Sequence, residues 1–304
     1  MAVFQQGVVE EIFVAGRRCD DDIREVAIIF VGLGGRQGEP GRKSAGSAGV
    51  VARTVRLRAG ALALPMALVN QHWPADLHPI RGVMSMSHLL VDAAGAVLLD
   101  TGFPGDAGRI RRAMGKLGLG PRDLRAIVLT HGHIDHAGNA AWAKEWSGAP
   151  IYAHPLEQAH IDGVFPYEGL ARVTGVLEAA GRKVMGYRRA SIDVPIADGD
   201  ELPLWGGLKV VHLPGQTVGH CGFFSARHDL LFTGDLWVRF MMRTQASPRI
   251  FSDRPEWVPA SLRKARAMGA RWIVPGHYNV ANATRLRRRF EMLCDEFERR
   301  HAIV

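Results

Sequence analysis

The chain has 304 residues, of which 47% are hydrophobic and 22% charged, and a formal net charge of +8. That length allows one large domain or two ordinary ones with a sizeable core, and no apolar run reaches the roughly 18 residues that a membrane-spanning helix needs. The three cysteines, Cys19, Cys221 and Cys294, are widely spaced and form neither a disulfide framework nor a CxxC metal knuckle.

In chain order, residues 1–31 have apolar character without a clear period. Residues 32–49, GLGGRQGEPGRKSAGSAG, are too poor in large apolar side chains to offset the entropy of ordering, and read as a linker. Their glycines at 32, 34 and 35 do not complete GxGxxG, and no Walker lysine pattern follows. Residues 1–55 thus read as an N-terminal extension, poorly ordered or a leader, with Met66 or Met84 as alternative starts, and 56–304 as one domain. The N-terminus lacks the basic-then-apolar order of a secretory signal; 56–75 has that order but is internal. With the cysteine usage, the expectation is a reducing, cytoplasmic location.

From residue 80 the signals sharpen. VMSMSHLLVD (83–92) and VLLDTG (97–102) read as two strands around the turn AAGA. AGRIRRAMGKLGLG (107–120) reads as a helix with a glycine stop. LRAIVLT (124–130) is a buried strand, NAAWAKEWSG (139–148) a short helix and APIYAH (149–154) a strand, before a basic, irregular insert over 162–190. Strands return at 208–215, 221–226 and 229–235, followed by a helix over 257–270, a strand over 271–277 and a charged helix over 281–300. In that last helix Leu286, Phe290, Leu293 and Phe297 recur at helical spacing. Hairpins followed by strands alternating with helices, twice over, predict a mixed α/β sandwich of two similar halves.

The chemistry concentrates in HGHIDH (131–136), directly after a buried strand. Alternate residues of an extended segment point the same way, so His131 and His133 aim at one point, Asp135 continues the alternation, and His136 turns to the other side. Such donors suit zinc, and also iron or manganese. Buried unpaired polar groups cost a few kcal/mol each, so without a metal the cluster would be a liability. Further ligands stand at later strand ends: His220 in PGQTVGH, Asp235 in FTGD and His277 in VPGH, each after an apolar strand and a glycine turn.

LLDTG (98–102), HGHIDH, PGQTVGH, TGD and PGH, in that order over about residues 80–280, resemble the metallo-β-lactamase superfamily of metallohydrolases. The resemblance implies an α/β (α+β) fold, a four-layer αβ/βα sandwich with the metal site at one edge of its two sheets. It implies two divalent metals, zinc first, with iron or manganese as alternatives. His131, His133 and His220 would bind the first, Asp135, His136 and His277 the second, and Asp235 would bridge them. Asp100 would orient ligands from behind. The implied reaction is hydrolysis of an ester, thioester or lactone by a hydroxide held between the metals, with Asp135 and Asp235 as the catalytic carboxylates.

Within the superfamily, the resemblance is strongest to the glyoxalase II-like group, over HGHIDHAGNAAWAKEWSGAPIYAHPLE (131–157), although no basic glutathione-binding domain follows His277. The commonest β-lactamases carry a cysteine where this chain has Asp235, and Cys221 reads as a small strand residue. Lactonases carry a tyrosine where this chain has Val238. A mononuclear iron enzyme like the persulfide dioxygenases, and a phosphodiesterase or nuclease, are the alternatives. His154 reads as structural support and His88 as core. Trp237, Phe240, Met241 and Met242 read equally as pocket wall or core. The insert, with Tyr167, Arg172, Arg182, Lys183, Arg188 and Arg189, reads as a solvated basic surface or a lid for an anionic substrate. A small-molecule substrate is the expected partner, and pairing of two copies is left open. The basic charge is dispersed, so neither nucleic acid nor membrane is expected.

Overall fold

The structure, a computed structural model, describes residues 9–19, 22–32, 73–168, 171–240, 243–278 and 282–301. The segments 33–49 and 56–72, with Met66, Met241 and Met242, lie outside the described residues. The chain divides into two compact units, Met1–Leu64 and Pro65–Val304. In the first, β1 (Val9–Cys19) and β2 (Asp22–Gly32) pair antiparallel, with Phe13 opposite Ile29 and Val14 opposite Ile28. Their apolar residues run consecutively and do not alternate, so no strand period shows in the sequence of this hairpin.

The second unit begins with β3 (Leu77–Arg81), β4 (Met86–Asp92) and β5 (Gly95–Leu99), which pair antiparallel in that order. Next come α1 (Ala107–Lys116), β6 (Leu124–Val128), the single turn α2 (Ile134–Ala137), α3 (Ala140–Ser147), β7 (Ile151–Ala153), α4 (Gln158–Asp162), α5 (Ala171–Val184) and β8 (Val194–Pro195). The parallel ladder β5–β6–β7–β8 completes a six-stranded sheet. The second sheet uses β9 (Glu201–Leu202), β10 (Leu208–His212), β11 (Cys221–Ser225) and β12 (Leu230–Gly234). After the hairpin of β13 (Trp237–Phe240) and β14 (Arg243–Ala246) and helix α6 (Val258–Ala267), β15 (Trp272–Pro275) joins β12 in parallel. Helix α7 (Ala283–His301) follows.

Strand alternation builds the layers. Leu89, Leu98 and Ile127 pack on one side with Ile110 and Met114 of α1 and Ala140 and Ala143 of α3. Their neighbours Leu90, Val97, Leu99 and Val128 pack on the other side with Val210, Phe223 and Leu231 of the second sheet. That second core runs on to Leu262 and Ala265 of α6 and Leu286 and Phe290 of α7, giving the four-layer αβ/βα sandwich. Each fully buried Leu, Ile or Phe contributes about 1.5–3 kcal/mol from burial. Glycine sets helix ends: Gly148, at φ 77°, closes α3 by donating its N–H to the Lys144 carbonyl.

Two expectations need correction. The insert 162–190 is not irregular, because it carries α5, whose inward face is Thr174, Glu178 and Arg182. A helix that buries charged residues shows no apolar stripe in sequence. HGHIDH is not extended throughout, because the His133 carbonyl accepts from His136 N–H at 3.0 Å and from Ala137 N–H at 2.8 Å. Asp135 and His136 are therefore presented by a helical turn.

Candidate metal centre

Two backbone bonds bring the ligand loops to one edge of the sandwich. Cys221 N–H donates to the Thr130 carbonyl at 2.9 Å, joining the ends of β6 and β11, and Met86 N–H donates to the Gly276 carbonyl at 2.9 Å. The loop carrying HGHIDH passes close beneath its neighbours. A Cβ on Gly132 would lie 2.7 Å from His160 Cβ, so this approach requires glycine. The buried Glu157 carboxylate then ties two ligand loops together, accepting from Gly132 N–H at 2.6 Å and Gly219 N–H at 2.9 Å. Burial pushes the Glu157 carboxyl upward, and the neighbouring His160 opposes that shift.

Among the described residues, one group of ligand atoms gathers within 4.8 Å: those of Asp135, His136, Asp235 and His277. His277 Nε2 lies 3.1 Å from Asp135 Oδ2 and 3.1 Å from Asp235 Oδ2, and His136 Nε2 lies 3.3 Å from Asp235 Oδ1. His131, His133 and His220 are not in that group but adjoin it. The His131 ring centre is 4.7 Å from that of His133, 4.2 Å from His136 and 5.2 Å from His220. His220 Nε2 accepts from Asp235 N–H at 3.0 Å, and His133 Nδ1 lies 3.3 Å from the Gln216 amide nitrogen.

The outer nitrogen of each ring is anchored, and the anchors fix which nitrogen faces the centre. Asp100 serves two of the rings, His136 directly and His131 through Thr130. Its Oδ2 lies 2.8 Å from His136 Nδ1, while Oδ1 accepts Thr130 N–H at 2.8 Å. Thr130 Oγ1 donates to Asp100 and so accepts from His131 Nδ1–H, 2.9 Å away, which leaves His131 Nε2 as a lone pair. His220 Nδ1–H donates to the Leu213 carbonyl at 3.0 Å and His277 Nδ1–H to the Met84 carbonyl at 3.1 Å. Asp100 has φ 56°, a left-handed conformation that Asp and Asn tolerate better than other side chains.

Electrostatics separates the histidines into two kinds. Burial, reinforced by neighbouring imidazoles, holds His131 and His133 well below the ordinary imidazole range, and burial lowers His220 to about 4. Burial also opposes charge on His136 and His277, but the carboxylates overcome it. Asp235, Asp135 and Asp100 hold His136 well above its ordinary value, and Asp235 and Asp135 raise His277 to about 10. Burial would raise Asp235, yet His277 and His136 hold it well below the carboxylate range. The paired carboxylates favour positive charge at the two imidazoles beside them.

The donor set fits divalent cations. His131 Nε2 is buried with no hydrogen-bond partner, and buried Asp235 Oδ1 has no hydrogen bond, only the His136 ring nitrogen 3.3 Å away. Orphaned buried acceptors of that kind are costly unless a cation uses their lone pairs. Imidazole nitrogens with carboxylate oxygens suit zinc, iron or manganese.

The other sequence-predicted residues fall outside this cluster. His88 is buried, 3.0 Å from the Tyr278 hydroxyl. His154 accepts from Leu156 N–H and stacks on His212 at 4.8 Å. Trp237 is fully buried against Phe290 at 5.9 Å, and Val238 is buried. Cys221 is buried and burial pushes its thiol up. Sequence reasoning missed Thr130, Glu157 and Gln216, although all three stand inside or beside the quoted motifs. It also missed Glu178, because a buried carboxylate on a helix has no spacing signature.

A model of the metallo-beta-lactamase superfamily matches residues 80–277. The chain is similar to a probable metallo-hydrolase, YflN, of Bacillus subtilis (strain 168), at 27% identity over 60% of this chain and 74% of that protein. It is also similar to a hydroxyacylglutathione hydrolase of Haemophilus influenzae, at 32% identity over 48% of this chain and 62% of that protein. It spans 47% of the length of an uncharacterized Aquifex aeolicus protein and 70% of one from Mycobacterium leprae. Among solved structures, the metallo-beta-lactamase family protein TTHA1429 from Thermus thermophilus superimposes with a TM-score of 0.59 at 23% identity, covering 74% of this chain and 80% of that one. TTHA1623 in a di-iron-bound form gives a TM-score of 0.50 at 26% identity, covering 72% of this chain and 98% of that one.

Proposed function

Because the chain belongs to the metallo-beta-lactamase superfamily, we propose that it is a dinuclear metal-dependent hydrolase of an ester, thioester or lactone, with zinc as its metal. The observation that carries this reading is the convergence of Asp135, His136, Asp235 and His277 within 4.8 Å. In this reading His131, His133 and His220 would hold one cation and Asp135, His136 and His277 a second, with Asp235 available to both. Divalent cations held there would supply Lewis acidity and lower the pKa of a water to about 7.

The chain's own groups do the rest. Asp135 and Asp235 orient the attacking water, and either carboxylate takes its proton as it adds to the carbonyl carbon; the acyl C–O or C–S bond then breaks, and the departing alkoxide or thiolate takes that proton back. Asp100 and Thr130 hold the His131 and His136 rings so that their Nε2 atoms face inward. No cysteine nucleophile is needed, and Cys221, beside the site, donates to the Gly219 carbonyl at 3.3 Å and is buried. Thioesters head the substrate panel because two relatives are named hydroxyacylglutathione hydrolases.

Elemental mass analysis of protein purified without chelator or added metal tests the reading. Close to two zinc per chain, with turnover of a thioester, ester or lactone, supports it. A di-iron-bound neighbour makes iron the second metal to measure. Close to one iron per chain, with oxygen uptake on persulfides, would replace hydrolysis with oxygenation.

A further inference from the structure

The insert reaches the ligand loop at three successive residues. Arg182 Nη2 donates to the Gly132 carbonyl at 3.1 Å, Tyr167 Oη lies 2.7 Å from His133 Nε2, and Glu178 Oε1 accepts Ile134 N–H at 3.2 Å. The middle contact differs from the anchors of the other site histidines. Those rings are anchored at Nδ1, by Thr130, Asp100 or a backbone carbonyl. His133 is anchored at Nε2, by a hydroxyl that both donates and accepts.

The direction of that bond follows from Gln216. The amide nitrogen of Gln216 lies 3.0 Å from Asp235 Oδ2, and an ionised carboxylate only accepts, so the amide donates there. The same nitrogen lies 3.3 Å from His133 Nδ1, which therefore carries a lone pair. A neutral imidazole with a lone pair on Nδ1 has its hydrogen on Nε2. Tyr167 Oη, the partner of that nitrogen, is the acceptor. An imidazolium at His133 is excluded by the same geometry, since Nδ1–H would face the amide hydrogens.

We propose that Tyr167 is a positioning residue that accepts Nε2–H from His133, fixes its tautomer and so presents Nδ1 to the metal centre. The proposal rests on the metal-centre reading given above. Tyr167 is well placed for the task because it is buried, stacked on Phe165 with ring centres 5.9 Å apart and edge-on to His160 at 5.5 Å. A rigid, dry hydroxyl holds one imidazole orientation at small entropic cost. The insert is then part of the centre's scaffold, not a lid over it.

The test uses the full chain labelled with ¹⁵N-histidine. Long-range proton–nitrogen correlation in the metal-free protein reads the tautomer of His133, assigned as the resonance lost in His133→Gln. The expected result is protonation at Nε2 alone in the parent protein and a tautomer mixture in Tyr167→Phe. Zinc affinity by chelator competition should fall about 10–100-fold in Tyr167→Phe, while the metal-free variant still unfolds in one cooperative transition. Protonation at Nδ1 in the parent protein overturns the proposal, and so does a Tyr167→Phe variant with unchanged tautomer and zinc affinity. If Tyr167→Phe does not fold, the parent measurement alone decides. If the parent protein binds no zinc but shows the Nε2 tautomer, the hydrolase reading fails while the role of Tyr167 in setting the tautomer stands.

Discussion

Replacing Arg182 by Met removes one partner of a buried ion pair. The guanidinium meets Glu178 Oε1 at 2.6 Å from Nη2 and 3.1 Å from Nε, with side chains only 6% and 8% exposed. It also donates to the Ile161 carbonyl at 3.2 Å and the Gly132 carbonyl at 3.1 Å, and lies over the Phe165 and Tyr187 rings at 5.0 and 4.2 Å. Met retains some of the packing but leaves the Glu178 carboxylate buried without its cation. Breaking a buried pair in this way costs about 3–5 kcal/mol. For a unit of this size that lowers the melting temperature by about 6–20 °C. The loss depends on pH. Burial already raises the Glu178 carboxyl above its ordinary value against the pull of Arg182, and loss of Arg182 raises it further. A raised folded value means that the folded state binds the extra proton. Stability therefore increases as pH falls through the folded pKa toward the unfolded one, and the defect of Arg182→Met is largest at neutral and alkaline pH. Urea unfolding at pH 5 and pH 8 measures both effects. The double variant Glu178→Met/Arg182→Met should recover part of the loss, because no buried charge remains. A loss below about 1 kcal/mol at pH 8 for Arg182→Met would refute the reasoning, since that is the size expected of an exposed pair.

Three further outcomes follow from the site. Asp100→Asn keeps a side chain that tolerates φ 56° but turns one acceptor into a donor, so either His136 Nδ1 or Thr130 loses its partner; zinc affinity by chelator competition should fall about 10–100-fold. Gly276→Ala would drive a Cβ into Asp235 Oδ1 and to 2.6 Å from His136 Cε1; bound metal should drop well below the parent level while circular dichroism keeps its helix and strand content. Glu157→Ala orphans the buried N–H groups of Gly132 and Gly219; at about 1–3 kcal/mol each, urea unfolding should show a loss of about 2–6 kcal/mol, and a loss near zero would mean that water replaces the carboxylate.

Local sequence was enough to place most strands and helices of the second unit. The runs 124–130, 208–215 and 229–235 contain β6, β10 and β12, because strands buried on both faces over most of their length read as nearly continuous apolar runs, broken here by exposed Arg125 and Lys209. Asp100 in LLDTG was also legible in the sequence, and in the structure it lies within hydrogen-bond distance of Thr130 and His136. Short edge elements such as β8 and β9, each two residues long, carry too few side chains for any period. Helix α5 was hidden for a different reason: its buried face holds Glu178 and Arg182, while Val173, Val176 and Val184 are exposed.

For the site, the sequence by itself determined which donor atoms exist and on which strand ends they stand, since HGHIDH, Asp235 and His277 each follow an apolar run and His220 directly precedes one. Tertiary structure alone decided which of them meet. Asp135, His136, Asp235 and His277 converge because parallel pairing of β12 with β15 brings residues 235 and 277 together, and the turn of α2 aims 135 and 136 at them. It also decided the anchors: Tyr167 meets His133 across 34 positions, and Glu157 meets Gly219 across 62. Spacing rules describe neighbours within one element. A hydrogen bond between loops depends on where two packed sheets place their ends, and no local period encodes that.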